Sequence, residues 1–171
     1  MDTHDLRKVD CIIGIDPDCE KSGLAILYHQ ERKLLIDALA FPYLIDMVRE
    51  LCNAYSAIVV VEAGWLRQAH WHLSTNDTKQ SAATKGNAVG RNHETGRKII
   101  EMLRHYHIRV VEQQPYNKIW SGADRKISHK ELVELLDDNK FSYLFRRTNQ
   151  EERDAILLAL GYSNIPLTKK I

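Results

Sequence analysis

Four acidic residues sit where an ionised carboxylate is costly. Asp16 closes the apolar run CIIGID, and Glu62 closes a second, AIVVVE. A carboxylate at the end of a core strand has to be solvated, paired or bound to a metal. Glu151 and Asp154 lie three residues apart in EERDAILLALGY, so on a helix both project from one face. Four such acids brought together repel one another, and divalent cations relieve that repulsion. An oxygen-only donor set, without cysteine or histidine, selects a hard ion, Mg²⁺ or Mn²⁺. Two such ions roughly 3.5–4 Å apart activate a water and stabilise the leaving oxygen in phosphodiester hydrolysis. Three of the acids also have a plainer explanation. Asp16 suits a turn before Pro17, Glu62 a charged strand end, and Glu151 a capping box with Thr148.

Positive charge is concentrated in the middle of the chain. Between Trp65 and Lys130 there are twelve Lys/Arg against five Asp/Glu, with six of the eight histidines, although the whole chain carries only +1. Such an imbalance points to a polyanion-binding surface beside a carboxylate-rich one. Arg67, Lys85 and Arg91 follow the second acidic strand, and Lys118, Arg125, Lys126 and Lys130 come later; all are candidates for phosphate contact. Trp65, Trp71 and Trp120 are interleaved with them and could stack on unpaired bases or pack in a minor core. His70 and His72 have no cysteine or nearby acid to complete a zinc site. No nucleophilic Ser or Cys motif and no glycine-rich phosphate loop is present.

The elements that must position these residues follow from periodicity. Val9–Asp16, Gly23–His29 and Leu34–Ala40 are predicted as an antiparallel three-stranded meander. Pro42 starts a helix through about Ala54, and Ala57–Glu62 is a fully apolar central strand. Gly64 to about Gly86 is polar and is expected as a loop running into a helix over Gly90–His107. Ile108–Glu112 is a fifth strand, Ser128 caps a helix to about Asp138, and the last helix spans about Asn149–Tyr162. The order βββαβαβαα is mixed α/β without internal repeat or linker, so residues 1–171 are expected to form one domain.

Composition narrows the class. At 44% hydrophobic and 27% charged the sequence is neither disordered nor fibrous. No apolar run approaches the ~18 residues of a membrane span, and the acidic N-terminal decapeptide is unlike a signal peptide. Cys11, Cys19 and Cys52 form an odd, scattered set, which fits a reducing cytoplasm better than a disulfide framework.

Three segments carry a family likeness. IIGIDPDCEKSGLAIL resembles the opening hairpin of RuvC-type Holliday junction resolvases: a strand, then Asp-Pro-Gly, then a glycine opening the second strand. VVVEAGW is similar to that family's second acidic strand, with an aromatic three residues after the glutamate. EERDAILLALGY resembles its last helix. The resemblance implies an RNase H-like fold, a five-stranded mixed sheet of three antiparallel then two parallel strands flanked by helices. It implies metal-binding catalytic residues at Asp16, Glu62, Glu151 and Asp154, and Trp65 against junction bases. Lys118, with Lys126 or Lys130, would lie near the scissile phosphate. The implied activity is a Mg²⁺-dependent endodeoxyribonuclease, with two ions per site and Mn²⁺ able to substitute. It would resolve four-way junctions by paired symmetric nicks as a homodimer; whether a branch-migration motor assists is left open. The helix stripe Ile99, Ile100, Leu103 and Tyr106 is a candidate interface.

Two positions depart from the family pattern: Asp18 replaces the usual glycine, and Glu151 stands where aspartate or histidine is more common. A related nuclease on other branched DNA or structured RNA, and a non-catalytic nucleic-acid-binding module of the same fold, are the alternatives. An actin-like ATPase would need a second glycine-rich hairpin, which is missing.

Overall fold

A computed structural model describes residues 8–67, 78–117, 119–145 and 147–167. Five strands form one sheet: β1 (Cys11–Asp16), β2 (Ser22–Tyr28), β3 (Lys33–Leu39), β4 (Ala57–Glu62) and β5 (Val110–Gln113), in the order β3-β2-β1-β4-β5. β1–β2 and β2–β3 pair antiparallel, while β1–β4 and β4–β5 pair parallel. Helices α1 (Phe41–Ala54) and α2 (Lys79–His105) cover one face, and α3 (His129–Asp138) and α4 (Gln150–Tyr162) the other. This is the RNase H-like architecture expected from the sequence.

Strand parity decides which face receives each acid. Cys11, Ile13 and Ile15 of β1 point into the core under α1 and α2, whereas Ile12 points toward α3 and α4. The same alternation in β4 sends Val59 and Val61 one way, Ile58 and Val60 the other. Residues 16 and 62 therefore continue the α4 side. Parallel pairing of Ile15 with Val61 brings Asp16 and Glu62 to adjacent strand ends.

Two glycines let α4 come down on that face. A Cβ on Gly14 would run into the carbonyl oxygen of Ala155, and one on Gly23 into the carbonyl oxygen of Glu151. Gly23 is also the register partner of Asp16. The first turn of α4, with Glu151 and Asp154, is thus seated beside the Asp16 end of the sheet. Behind it, Ala155, Ile156, Ala159 and Leu160 are fully buried.

Several sequence expectations change. α2 begins at Lys79, eleven residues before the predicted start, because Thr78 caps it by accepting from Ser81 N and the helix runs through Gly86 and Gly90. β5 starts at Val110, since His107 takes a left-handed turn (φ 57°) after the helix. The cap of α4 is Asn149 with Glu152, reciprocally bonded, and not Thr148 with Glu151. Glu151 is thereby left to the site. Ile99, Ile100 and Leu103 are buried against the sheet and α1, and the Arg49 guanidinium lies 4.0 Å over the Tyr106 ring. That stripe is intradomain core, so it is not an exposed subunit interface. No helix among the described residues is long and apolar enough to cross a membrane.

Candidate active site

All four acids open onto one cleft of about 640 Å³. Asp16 and Glu62 come from strand ends, Glu151 and Asp154 from the first turn of α4. The cleft walls are α2, through Ala82, Gly86, Val89 and His93, together with Pro115, Tyr116, Asn117, Ile119 and the stretch Arg125–Ile127.

The acids interact strongly. Burial, and then the carboxylates of Glu62, Asp154 and Glu151, push the Asp16 carboxyl well above the ordinary carboxylate range, while the Lys126 ammonium opposes them. Lys126 Nζ donates to Asp154 Oδ2 at 2.9 Å, and Gln150 Nε2 donates to Asp154 Oδ1 at 2.8 Å. Desolvation would lower the Lys126 pKa, but Asp154, Asp16 and Glu62 together raise it, so the ammonium stays charged. Among the described residues no three potential ligands already form a compact metal cage. The donor chemistry nevertheless fits a hard divalent ion: the set is all oxygen, and the conflict at Asp16 is the kind a cation relieves.

Lys126 is delivered by a stapled loop. Glu131, one turn into α3, accepts from Ser128 N (2.9 Å), Ser128 Oγ (2.8 Å), Ser121 N (2.9 Å) and Ser121 Oγ (2.7 Å). Burial would raise this carboxyl, but the four donors outweigh it and hold it down at about 2. Arg153 of α4 adds Nε to Ile127 O at 2.9 Å. Trp120 and Ile127, both buried, anchor the loop from beneath. Ser128-x-x-Glu131 is legible as a capping box, but the long reach to Ser121 is not.

Asp18, the departure from glycine, has its own partners. It has no positive φ, its Oδ1 accepts from Glu20 N at 2.8 Å, and its Oδ2 accepts from Asn92 Nδ2 at 3.0 Å. Cys19 N donates to Asn92 Oδ1 at 3.2 Å. The β1–β2 loop is therefore pinned to α2 by a side-chain pair that needs no glycine. Asn92 is a positioning residue that the sequence alone does not reveal.

The predicted nucleic-acid contacts divide. Trp65 is half-buried at the cleft wall, close to Pro17 across Gly96, edge-on to His93 (5.9 Å) and under the Arg97 guanidinium (5.1 Å). Arg67 lines the cleft and donates to Asn117 Oδ1 at 2.6 Å. Arg125 also lines it, beside Lys126. Lys85 and Arg91 are exposed on α2 but do not line the cleft, and Lys130 is on α3, 4.0 Å from Glu134. Trp120 is core. Lys118, His70, Trp71 and His72 lie outside the described residues.

No protein-family model and no curated protein matches the chain. Among solved structures it is similar to T. thermophilus RuvC in complex with a Holliday junction substrate, at 17% identity and TM-score 0.49 over 88% of this chain and 90% of that one. A further Thermus thermophilus RuvC structure matches at 14% identity and TM-score 0.49, covering 90% and 95%. The large terminase nuclease from thermophilic phage G20c matches at 12% identity and TM-score 0.49, covering 91% and 83%.

Proposed function

We propose that this chain is a divalent-metal-dependent endodeoxyribonuclease of RuvC type that hydrolyses phosphodiester bonds in branched DNA, four-way junctions foremost. The observation that carries the proposal is the convergence of Asp16, Glu62, Glu151 and Asp154 on one cleft that Arg67, Arg125 and Lys126 also line. Four carboxylates in one cleft suit cation binding, and three basic side chains beside them suit a phosphate backbone. Carboxylates also serve sugar and peptide hydrolysis; the adjoining basic side chains are what single out a phosphate backbone.

Asp16, Glu62, Glu151 and Asp154 are the residues that would hold Mg²⁺ or Mn²⁺. The bound ions supply activation of the attacking water and neutralisation of charge at the leaving oxygen. Arg67 and Arg125 seat the phosphates flanking the scissile one, and Asn92 and Glu131 fix the two loops that frame it. Trp65, held between His93 and Arg97, lines the cleft wall where an unstacked base of a branch point would enter. A twofold-symmetric junction needs two nicks, so two copies of the chain act together as a homodimer, each with one site.

The test is Mg²⁺-dependent cleavage of a synthetic four-way junction compared with linear duplex, single strand and RNA–DNA hybrid. The proposal expects the junction to be cut in preference to the other three. Equal cutting of duplex or hybrid would assign a different nuclease activity to the site. Tight junction binding without cleavage in Mg²⁺ or Mn²⁺ would make the chain a binding module.

A further inference from the structure

A carboxylate that is to serve a metal does so in competition with its other partners, and each oxygen of Asp154 already accepts a hydrogen bond. Oδ2 accepts from Lys126 at 2.9 Å and Oδ1 from Gln150 at 2.8 Å. Gln150 is itself oriented by Arg153, whose Nη2 donates to Gln150 Oε1 at 2.8 Å. Lys126 is no surface side chain that has swung inward. Its backbone N donates to Ala123 O at 3.0 Å, and its neighbour Ile127 is buried and accepts from Arg153. Glu131 closes the same loop with four hydrogen bonds. α4, which carries Asp154, therefore also holds the loop that carries Lys126. The fold places one fixed positive charge in contact with an acidic floor.

We infer that Lys126 is a built-in counter-cation that competes with divalent metal for the carboxylate floor. In the metal-free protein its ammonium holds Asp154 and offsets the charge of Asp16 and Glu62; it gives up Asp154 when a divalent ion binds. The coupling is reciprocal: whatever metal costs the Lys126–Asp154 pair, that pair costs metal affinity. Lys126 thus sets how much metal the site needs, keeping it weakly loaded until metal is plentiful. The inference rests on the metal-dependent reading of the site and adds to it a residue that tunes affinity.

The experiment is calorimetric titration of the full chain with Mn²⁺, using wild type, Lys126→Met, Lys126→Arg and Glu62→Gln. Lys126→Met keeps the stem and removes the charge; it is expected to bind Mn²⁺ about tenfold tighter or more, equivalent to about 1.4 kcal/mol. Lys126→Arg, with the charge retained, should stay within a few-fold of wild type. On unmodified protein, amine labelling of Lys126 read by mass spectrometry should rise several-fold when Mn²⁺ saturates the site, which needs no variant to fold. Wild-type affinity in Lys126→Met, or labelling of Lys126 that does not rise with Mn²⁺, would overturn the inference while leaving the metal site intact. If no protein shows Mn²⁺ binding that Glu62→Gln weakens, the metal reading itself fails and takes the inference with it.

Discussion

Asp16 carries a conflict that the fold does not resolve without a cation. Its folded pKa is raised, first by burial and then by Glu62, Asp154 and Glu151, above the ordinary 3.8. The sign of the linkage follows. Above pH 3.8 the unfolded chain releases this proton while the folded chain retains it, so stability falls as pH rises toward the folded pKa. Asp16→Asn should therefore raise the melting temperature of the metal-free protein at neutral pH, by about 2–4 °C for each kcal/mol relieved. The same change should remove cleavage. Differential scanning calorimetry in EDTA checks the first half, and a lowered melting temperature would show that Asp16 is compensated by something other than a missing cation. At this scale the sequence was informative for Asp16 and Glu62, because each is a charge ending an apolar strand. It marked Lys126 for phosphate contact but not for a pairing with Asp154, and it was silent on Gln150 and Asn92. Their roles arise from contacts such as Lys126 with Asp154 and Asn92 with Asp18, which are local only in space.

Among the elements, the loop between Trp120 and Ser128 has the most to do with so little regular structure. Asp124 and Arg125 both take left-handed backbone (φ 53° and 58°), an uncommon pair that the Glu131 staple holds in place. The depressed Glu131 pKa means its contribution is complete above about 4.5 and is lost as pH falls toward about 2. Glu131→Gln should destabilise the protein by about 1.5–3 kcal/mol at neutral pH, the range for hydrogen bonds to a charged group. It should also flatten the stability profile between pH 2 and 4.5. Urea unfolding at several pH values measures both; an unchanged acid limb would remove Glu131 from its role as staple. The strands were legible because their apolar runs are short and bounded by turns. The start of α2 was not, since Gly86 and Gly90 resemble breakers and only the cap at Thr78 and the packing beyond Gly96 make them helical. The capping box of α4 was misplaced by one residue, which matters because the true pair, Asn149 with Glu152, leaves Glu151 facing the cleft.

For the molecule as a whole, part of the charge asymmetry of the sequence becomes an arrangement: Arg67, Arg125 and Lys126 line the cleft that the four carboxylates share, while Lys85 and Arg91 lie away from it. One chain offers one such floor, so symmetric resolution of a four-way junction requires two copies. Sedimentation at micromolar concentration should give about twice 19.8 kDa. With Ile99, Ile100 and Leu103 committed to the core, the proposed dimer would have to use another surface. A strict monomer, both free and on junction DNA, would favour a single-nick nuclease.

The central claim is that the acids at the strand and helix ends form the cleavage centre for branched DNA. The most direct measurement pairs junction cleavage in Mg²⁺ with junction binding for wild type and Glu62→Gln. The substitution removes a negative charge from the cleft and leaves the cleft-lining Arg67 and Arg125 in place, so binding should persist or tighten. Cleavage should fall by about 10²-fold or more, the order expected when a group that stabilises transition-state charge is lost. Cleavage by Glu62→Gln at near wild-type rate, with binding intact, would contradict the account.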